Sequence, residues 1–426
     1  MHLTRRNLLQ LGAASIAFPT FSHASAVGQE RRLRGAWWGS NDRTERTLAV
    51  GELYRKKTGV VFEGEGAGWA DYWPRLATQV SGGNAPDIVQ QNHSTISEYA
   101  RRDILLPLDE YVGNGLDISD FDKSQIDAGT VDGKFYGVSL GYAAFGMIVN
   151  AKSWEDAGVE LPNLDTTWDE FERMAAEVTR AAGRPNHYGI QDGSGVVGAL
   201  QNWVRQRGKD LYTAEGKLGY SEEDAADWFA LWARLRESGA CPPADLQALD
   251  QLNIETAMLT LGHAAMSYGY ANQLVGYQAV NKDPLALVPP PMENGDRSHG
   301  IYLQPAQFFS IARTTADPDL AVDFVNFFVR DPEAALVLGV ERGMPASAKI
   351  RELLIPKLDE DSRKMAEYLE LVGPVGGPMP PAPPEGATEM NATLKRISEE
   401  VGFGQSSPQE GARALFAEAD RVLSAG

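Results

Sequence analysis

The sequence predicts an α/β protein of more than one domain. Three observations point there. The chain has 426 residues, more than one hydrophobic core organises, so two or three domains are expected at about 100–200 residues each. Strand-like and helix-like segments alternate along it, a rhythm that builds a mainly parallel sheet with helices on both faces. Its helix starts carry local capping signals.

The elements follow in order. Residues 33–38 read as a strand. Residues 43–57 read as a helix, with Val50, Leu53 and Tyr54 at helical spacing, stopped at Thr58-Gly59. Residues 60–63 are a second strand. Residues 71–80 are a helix with Trp73, Leu76 and Val80 on one face, and 87–90 are a short buried strand. Residues 135–139 and 142–149 read as two further strands. Thr167-x-x-Glu170 and Ser221-x-x-Asp224 open helices as capping boxes. Asp317-Pro318 and Asp331-Pro332 each give an N-cap followed by proline in the first turn. Ala412, Leu415, Phe416, Ala419, Val422 and Leu423 make a final amphipathic helix. Residues 373–386, GPVGGPMPPAPPEG, cannot form a helix or a central strand and read as a loop crossing the surface.

The first 26 residues read as an export leader. Arg5-Arg6 precede an apolar run of about 14 residues, too short to span a bilayer, and small residues follow it at 24–26. The string TRRNLL resembles the twin-arginine signal. The predicted destination is the periplasm, with the leader removed.

Composition excludes several functions. Lys and Arg total 39 against 58 Asp and Glu, a net charge of −19, which speaks against nucleic-acid and anionic-lipid partners. The single cysteine, Cys241, allows no intrachain disulfide and no Cys-based metal site. No histidine pair has ligand spacing, and no nucleophile elbow or Walker loop is present. No metal or cofactor is predicted. Gly193-Ser194-Gly195-Val196-Val197-Gly198 matches G-x-G-x-x-G, yet lacks the acidic residue a dinucleotide site needs some 20 residues on. It reads better as a loop whose glycines let backbone N–H groups approach a ligand oxygen. Asp42, Asp71, Asp87 and Asp192 are candidate cleft carboxylates, and Asp87 also reads as a structural cap partner.

A set of motifs in order resembles one family. WWGSNDRT (37–44), ELYRKKTGVVFEGE (52–65), RLATQVSGGNAPDIVQ (75–90), RRDILLPLDEY (101–111), KFYGVSLGYAAFGMIVNAKSWEDAG (134–158), TTWDEFERMA (166–175), LGHAAMSYGY (261–270) and ERGMPAS (341–347) are similar to segments of family-1 extracellular solute-binding proteins of carbohydrate ABC importers. The resemblance implies a two-lobed, type II-like periplasmic-binding-protein fold, each lobe a mainly parallel sheet flanked by helices. Residues 27–140 plus 291–342 would form one lobe and 143–288 plus 345–426 the other. Hinge crossings would fall near 140–143, 288–291 and 343–345, with ligand bound between the lobes. It also implies a monomer that captures a mono- or oligosaccharide and meets membrane permease subunits transiently.

Sugar recognition needs flat aromatic faces and dense hydrogen-bonding groups. The family pattern puts Ser40 and Asn41 at the cleft edge. Gln91, Asn92, His93 and Ser94 form a polar run directly after a buried strand, which fits cleft lining. From the second lobe come Gly193 and Ser194 in the glycine loop, Tyr142 on the crossover, and Tyr270 and Asn272 after a strand. Tyr302, Gln304 and Gln307 sit on the strand returning to the first lobe. Trp69 reads as a stacking platform or as core. Trp37 and Trp38 point to opposite faces, one of them core. Arg43 and Arg342 could pair with a ligand carboxylate or with surface acids. The competing readings are a secreted glycoside hydrolase or lyase, and a ferric- or anion-binding receptor, for which Tyr268-Gly269-Tyr270 is the cue.

Overall fold

The computed structural model describes residues 31–251, 253–293 and 299–423. The export leader over residues 1–26 lies outside them. Nine strands are described: β1 (Arg32–Trp38), β2 (Val61–Ala67), β3 (Ile88–Gln91), β4 (Thr130–Val131), β5 (Lys134–Phe135), β6 (Val138–Asn150), β7 (Met266–Tyr270), β8 (Leu285–Val288) and β9 (Leu303–Ile311). Seven form one curled sheet in the order β2-β1-β3-β9-β6-β7, with β8 also paired to β6.

The ladders correct one expectation. Only β1–β2 and β1–β3 are parallel. The pairings β3–β9, β6–β9, β6–β7 and β6–β8 are all antiparallel. The strand–helix alternation that predicts parallel pairing persists from β1 to β3 and then stops. Tyr188 makes an isolated bridge to Ala264.

The two strands expected over 135–139 and 142–149 are divided elsewhere: Phe135 belongs to β5, and 138–139 are continuous with 142–149 in β6. β6 runs 13 residues without interruption. Its first half pairs with β9 and its second with β7 and β8, so it passes from one side of the molecule to the other. Irregularities between Ser139 and Tyr142 mark the passage; bulges bend a strand without ending it. β9 crosses in the opposite direction. Just past 288–291, Met292 exchanges backbone hydrogen bonds with Thr166 and Trp168. A third passage is at Gly343, beside which Tyr142 and Met344 bond each other's backbone at 2.8 and 2.9 Å. Gly343 has φ +96°, and a Cβ there would lie 2.7 Å from the Tyr142 carbonyl oxygen, so only glycine fits without strain.

Alternation explains the cores. On one face of the β1–β3 sheet Trp37 joins Val50, Tyr54, Phe62, Phe309 and Phe324. On the other Trp38 joins Tyr72, Leu76, Val89 and Phe308. Adjacent residues in an extended strand point to opposite faces, which separates Trp37 from Trp38 and Phe308 from Phe309. Around β6 and β7 a larger core gathers Trp154, Trp168, Trp203, Trp228 and Trp232 under the two last helices, Ala387–Gly402 and Pro408–Leu423.

The capping signals take the expected form except at Thr167, where only half of the expected box is made. Ser221 and Asp224 complete a reciprocal capping box, Thr167 accepts from the Glu170 amide, and Asp317 and Asp331 cap their proline-led helices. No described helix is long and apolar enough to cross a membrane.

Candidate ligand-binding site

The carboxyl ends of the three strands β1, β2 and β3 open onto one cavity of about 450 Å³. Beyond β1 come Trp38, Gly39, Ser40 and Arg43; beyond β2, Gly68 and Trp69; beyond β3, Asn92, His93 and Ser94. Strand ends are where α/β sheets present loops and helix N-termini to ligands. The facing wall is built from Phe145 on β6, Tyr268 and Tyr270 on β7, Asn272, and Gly198 and Gln201 of helix Val197–Gln206. Tyr302, Gln304 and Gln307 on or beside β9, with Glu341, line the floor between the walls.

The lining combines aromatic faces with amides. Trp69 is 41% exposed and stands edge-on to Trp38, with centroids 5.2 Å apart at 88°. Trp38 is packed by Tyr72 and Trp73 as well. One indole is thus held rigid and the other presents a free face. Opposite, Phe145 stacks on Tyr268 and meets Tyr270 edge-on at 5.4 Å. Four buried lining atoms, Gln307 Oε1, Tyr268 Oη and the two ring nitrogens of His93, lack a hydrogen-bond partner. Buried polar atoms are nearly always satisfied, so a ligand oxygen or hydroxyl is their natural complement. Burial pulls the His93 imidazole down to about 4, against an opposing effect of the Pro380 backbone, so it is neutral near pH 7.

The structure brings eleven of the expected residues to this cavity: Ser40, Arg43, Trp69, Asn92, His93, Ser94, Tyr270, Asn272, Tyr302, Gln304 and Gln307. Ser40 also caps helix Asn41–Thr58 by accepting from the Arg43 amide. Asn272 donates to the Glu341 carbonyl at 3.2 Å.

Arg43 reaches the cavity without a free charge. Its Nε lies 2.8 and 2.9 Å from the two Glu341 carboxylate oxygens, and its Nη1 donates to the Trp38 carbonyl at 3.0 Å. The ligand-carboxylate role and the surface ion-pair role considered for it both give way to this buried pair.

Six residues are off the cavity wall. Arg342 is 3% exposed, bonded to Gln90 and to Thr47 Oγ1 at 2.8 Å. It packs over the rings of Phe309 and Phe328, and burial pulls its guanidinium down to about 9. It is a core cation, neither ligand partner nor surface charge. Gln91 is fully buried and accepts from Thr95 Oγ1 at 2.7 Å, because the last residue of β3 points into the sheet face. Asn41 is exposed on the first turn of its helix. Tyr142 lies at the β6 crossing beneath the Arg351 guanidinium. Ser194 is buried, its amide bonded to Asp192 and its carbonyl to the Trp228 indole. A Cβ on Gly193 would fall 2.5 Å from the Tyr268 ring. The glycine loop therefore serves packing, and of its glycines only Gly198 meets the cavity. Three of the four candidate acids are likewise engaged: Asp87 with the Arg34 amide and Thr315, Asp192 with Arg236, Asp42 with Arg46, while Asp71 is exposed in the first turn of helix Trp69–Ser81.

Pro380, Pro381 and Pro383 also line the cavity. Their segment was expected to cross the surface; the fold carries it over the cleft. Composition signals its irregular backbone, and nothing local signals its destination. Phe145, Gln201, Glu341 and Asn391 are further lining residues that sequence reasoning missed. Among the described residues no cluster of three or more His, Cys, Asp or Glu could hold a metal.

The family model of bacterial extracellular solute-binding proteins matches residues 49–358. The chain belongs to this family. A putative binding protein of Brucella abortus (strain 2308) is 25% identical to this solute-binding protein over 221 residues, 48% of this chain. The chain spans about half the length of that curated relative, 53%. Among solved structures, a periplasmic oligogalacturonide binding protein from Yersinia enterocolitica in complex with saturated digalacturonic acid is 26% identical. The alignment covers 93% of this chain and 99% of that one, with a TM-score of 0.83. A second structure of that Yersinia protein, for which no ligand is named, is 24% identical over 93% and 99% of the two chains, with a TM-score of 0.69. The architecture is thus that of two-lobed periplasmic solute-binding proteins.

Proposed function

We propose that this protein is the sugar- or oligosaccharide-binding subunit of an ABC importer. It is exported to the periplasm behind a twin-arginine-type leader over residues 1–26, acts as a monomer and delivers its ligand to a membrane permease. The observation that carries the reading is the cavity itself. It lies between the sheet ends of one lobe and the aromatic wall of the other, joins an exposed indole to amides, and holds buried polar atoms that lack a protein partner. Ligand bound there touches both lobes and favours the closed arrangement over the open one. The lobes divide at the passages in β6, β9 and Gly343.

The charge inventory supports binding rather than hydrolysis. Glycosidases set two free carboxyl groups across the scissile bond. Here Glu341 is held by Arg43, and the other lining acid, Glu255, is exposed at the rim.

Calorimetric titration of the mature protein with neutral malto-oligosaccharides and with galacturonides tests the proposal. One ligand class should bind at one per chain without product and raise the melting temperature. Release of shorter sugars would overturn it in favour of an enzyme, and no binding by either class would remove the sugar assignment.

A further inference from the structure

The segment from Gly376 to Glu385 is anchored on both sides of the cleft. On the β6–β8 side, the Gly377 amide donates to the Ile301 carbonyl at 2.8 Å. Arg205 Nη2 donates to the Pro378 carbonyl at 2.7 Å. Arg205 is itself fixed, paired with Asp210 and lying 5.0 Å over the ring of Tyr302, a cavity residue. On the β1–β3 side, Met379 packs against the core that holds Trp38, Tyr72, Val89 and Phe308. The next residue, Pro380, is buried with its backbone against His93. Pro380, Pro381 and Pro383 then face the cavity before helix Ala387–Gly402 begins.

The composition suits such a span. Proline fixes φ and removes the amide donor, so five prolines in this stretch reduce both its freedom and its need for hydrogen-bond partners. A glycine-rich loop of the same length would flex out of a ligand's way; this one is a preformed wall.

We propose that residues 376–385 form a strap that joins the two lobes across one end of the cleft and limits the length of oligosaccharide the site accepts. The proposal rests on the sugar-binding reading for its ligand and on the anchors alone for its mechanical role. A sugar chain that outgrows the cavity on this side meets proline rings held between Arg205 and the Met379 core. Displacing them means releasing an anchor.

Two variants test it in the full mature chain: Met379→Ser, which frees the anchor on the β1–β3 side, and the double change Pro380→Gly with Pro381→Gly, which softens the wall. Titration with malto-oligosaccharides and galacturonides from one to six units reads the length profile. For the wild type, affinity should peak at a short member and fall beyond it. Both variants should bind the longer members at least roughly tenfold better relative to the short one, and release the short one faster. Superimposable profiles would overturn the length limit. Small-angle scattering of the ligand-free proteins reads the tie itself: Met379→Ser should increase the radius of gyration, and an unchanged value with unchanged protease resistance of 376–385 would overturn the strap. If no sugar binds the wild type, the functional reading falls while scattering still judges the tie. Thermal melts of both variants separate these outcomes from loss of folding.

Discussion

Arg43 and Arg342 resemble each other in sequence, each next to a motif and each available for an anionic ligand. The structure gives them different work. Arg43 is spent on Glu341, both side chains under 10% exposed at 8% and 9%. Removing one partner of a buried pair strands a charge and typically costs about 3–5 kcal/mol. Glu341→Gln should therefore lower the unfolding free energy by several kcal/mol in urea titration, and Arg43→Met combined with Glu341→Gln should recover much of it. Trp69 contrasts with this pair. Its half-exposed indole carries little of the core, so Trp69→Ala should leave the melting temperature nearly unchanged while weakening sugar binding by roughly tenfold or more. His93 makes a pH prediction. Its buried imidazole is favoured in the neutral form, so its contribution to stability is present above the ordinary value of 6.5. That contribution is lost as pH falls from there toward about 4. Melting temperature should decline through that window, and His93→Asn should flatten the decline.

At the scale of elements, signals three or four residues apart were legible and those set by distant pairing were not. The Ser221 box, the Asp-Pro caps and the helical stripes are local, and each appears as read. Ser221→Ala should cost about 1 kcal/mol, measurable by urea unfolding. The length of β6 was not legible. Residues 139–142 look like a break in sequence, yet β9 on one edge and β7 and β8 further along keep the ladder continuous through a bulge. Gly343 belongs to this scale too. With φ +96° and the Tyr142 backbone 2.7 Å from any Cβ, Gly343→Ala should destabilise by more than about 1 kcal/mol. Calorimetry of ligand-free protein would show it as a lowered melting temperature.

For the whole molecule, the order of elements gives cores on both faces of the β1–β3 sheet and another around β6 and β7, with the cavity between the two sides. The expected response to ligand is closure or retention of closure, so scattering should show a radius of gyration no larger with bound oligosaccharide than without it. The candidate site was legible where it follows a strand end. Asn92 comes directly after β3 and reads from that place, Ser40 comes from the family pattern, and Trp69 stays open between platform and core until β2 is seen to run to Ala67. Gly193, Ser194 and Gln91 were misplaced because the same polar or glycine-rich signal also serves tight packing, as the Tyr268, Trp232 and Thr95 contacts show.

The sequence by itself determined the α/β class, the helix starts, the opposed faces of Trp37 and Trp38, and the family resemblance that the match over 49–358 establishes. These depend on backbone geometry and on neighbours within a few residues. The tertiary structure decided which charges are free, how far β6 runs and where the prolines lie. Arg43 finds Glu341 at a separation of 298 residues, and Met379 finds the core around Trp38 across a similar span of chain. No local pattern encodes such meetings, because they exist only once distant segments of the chain have folded against each other.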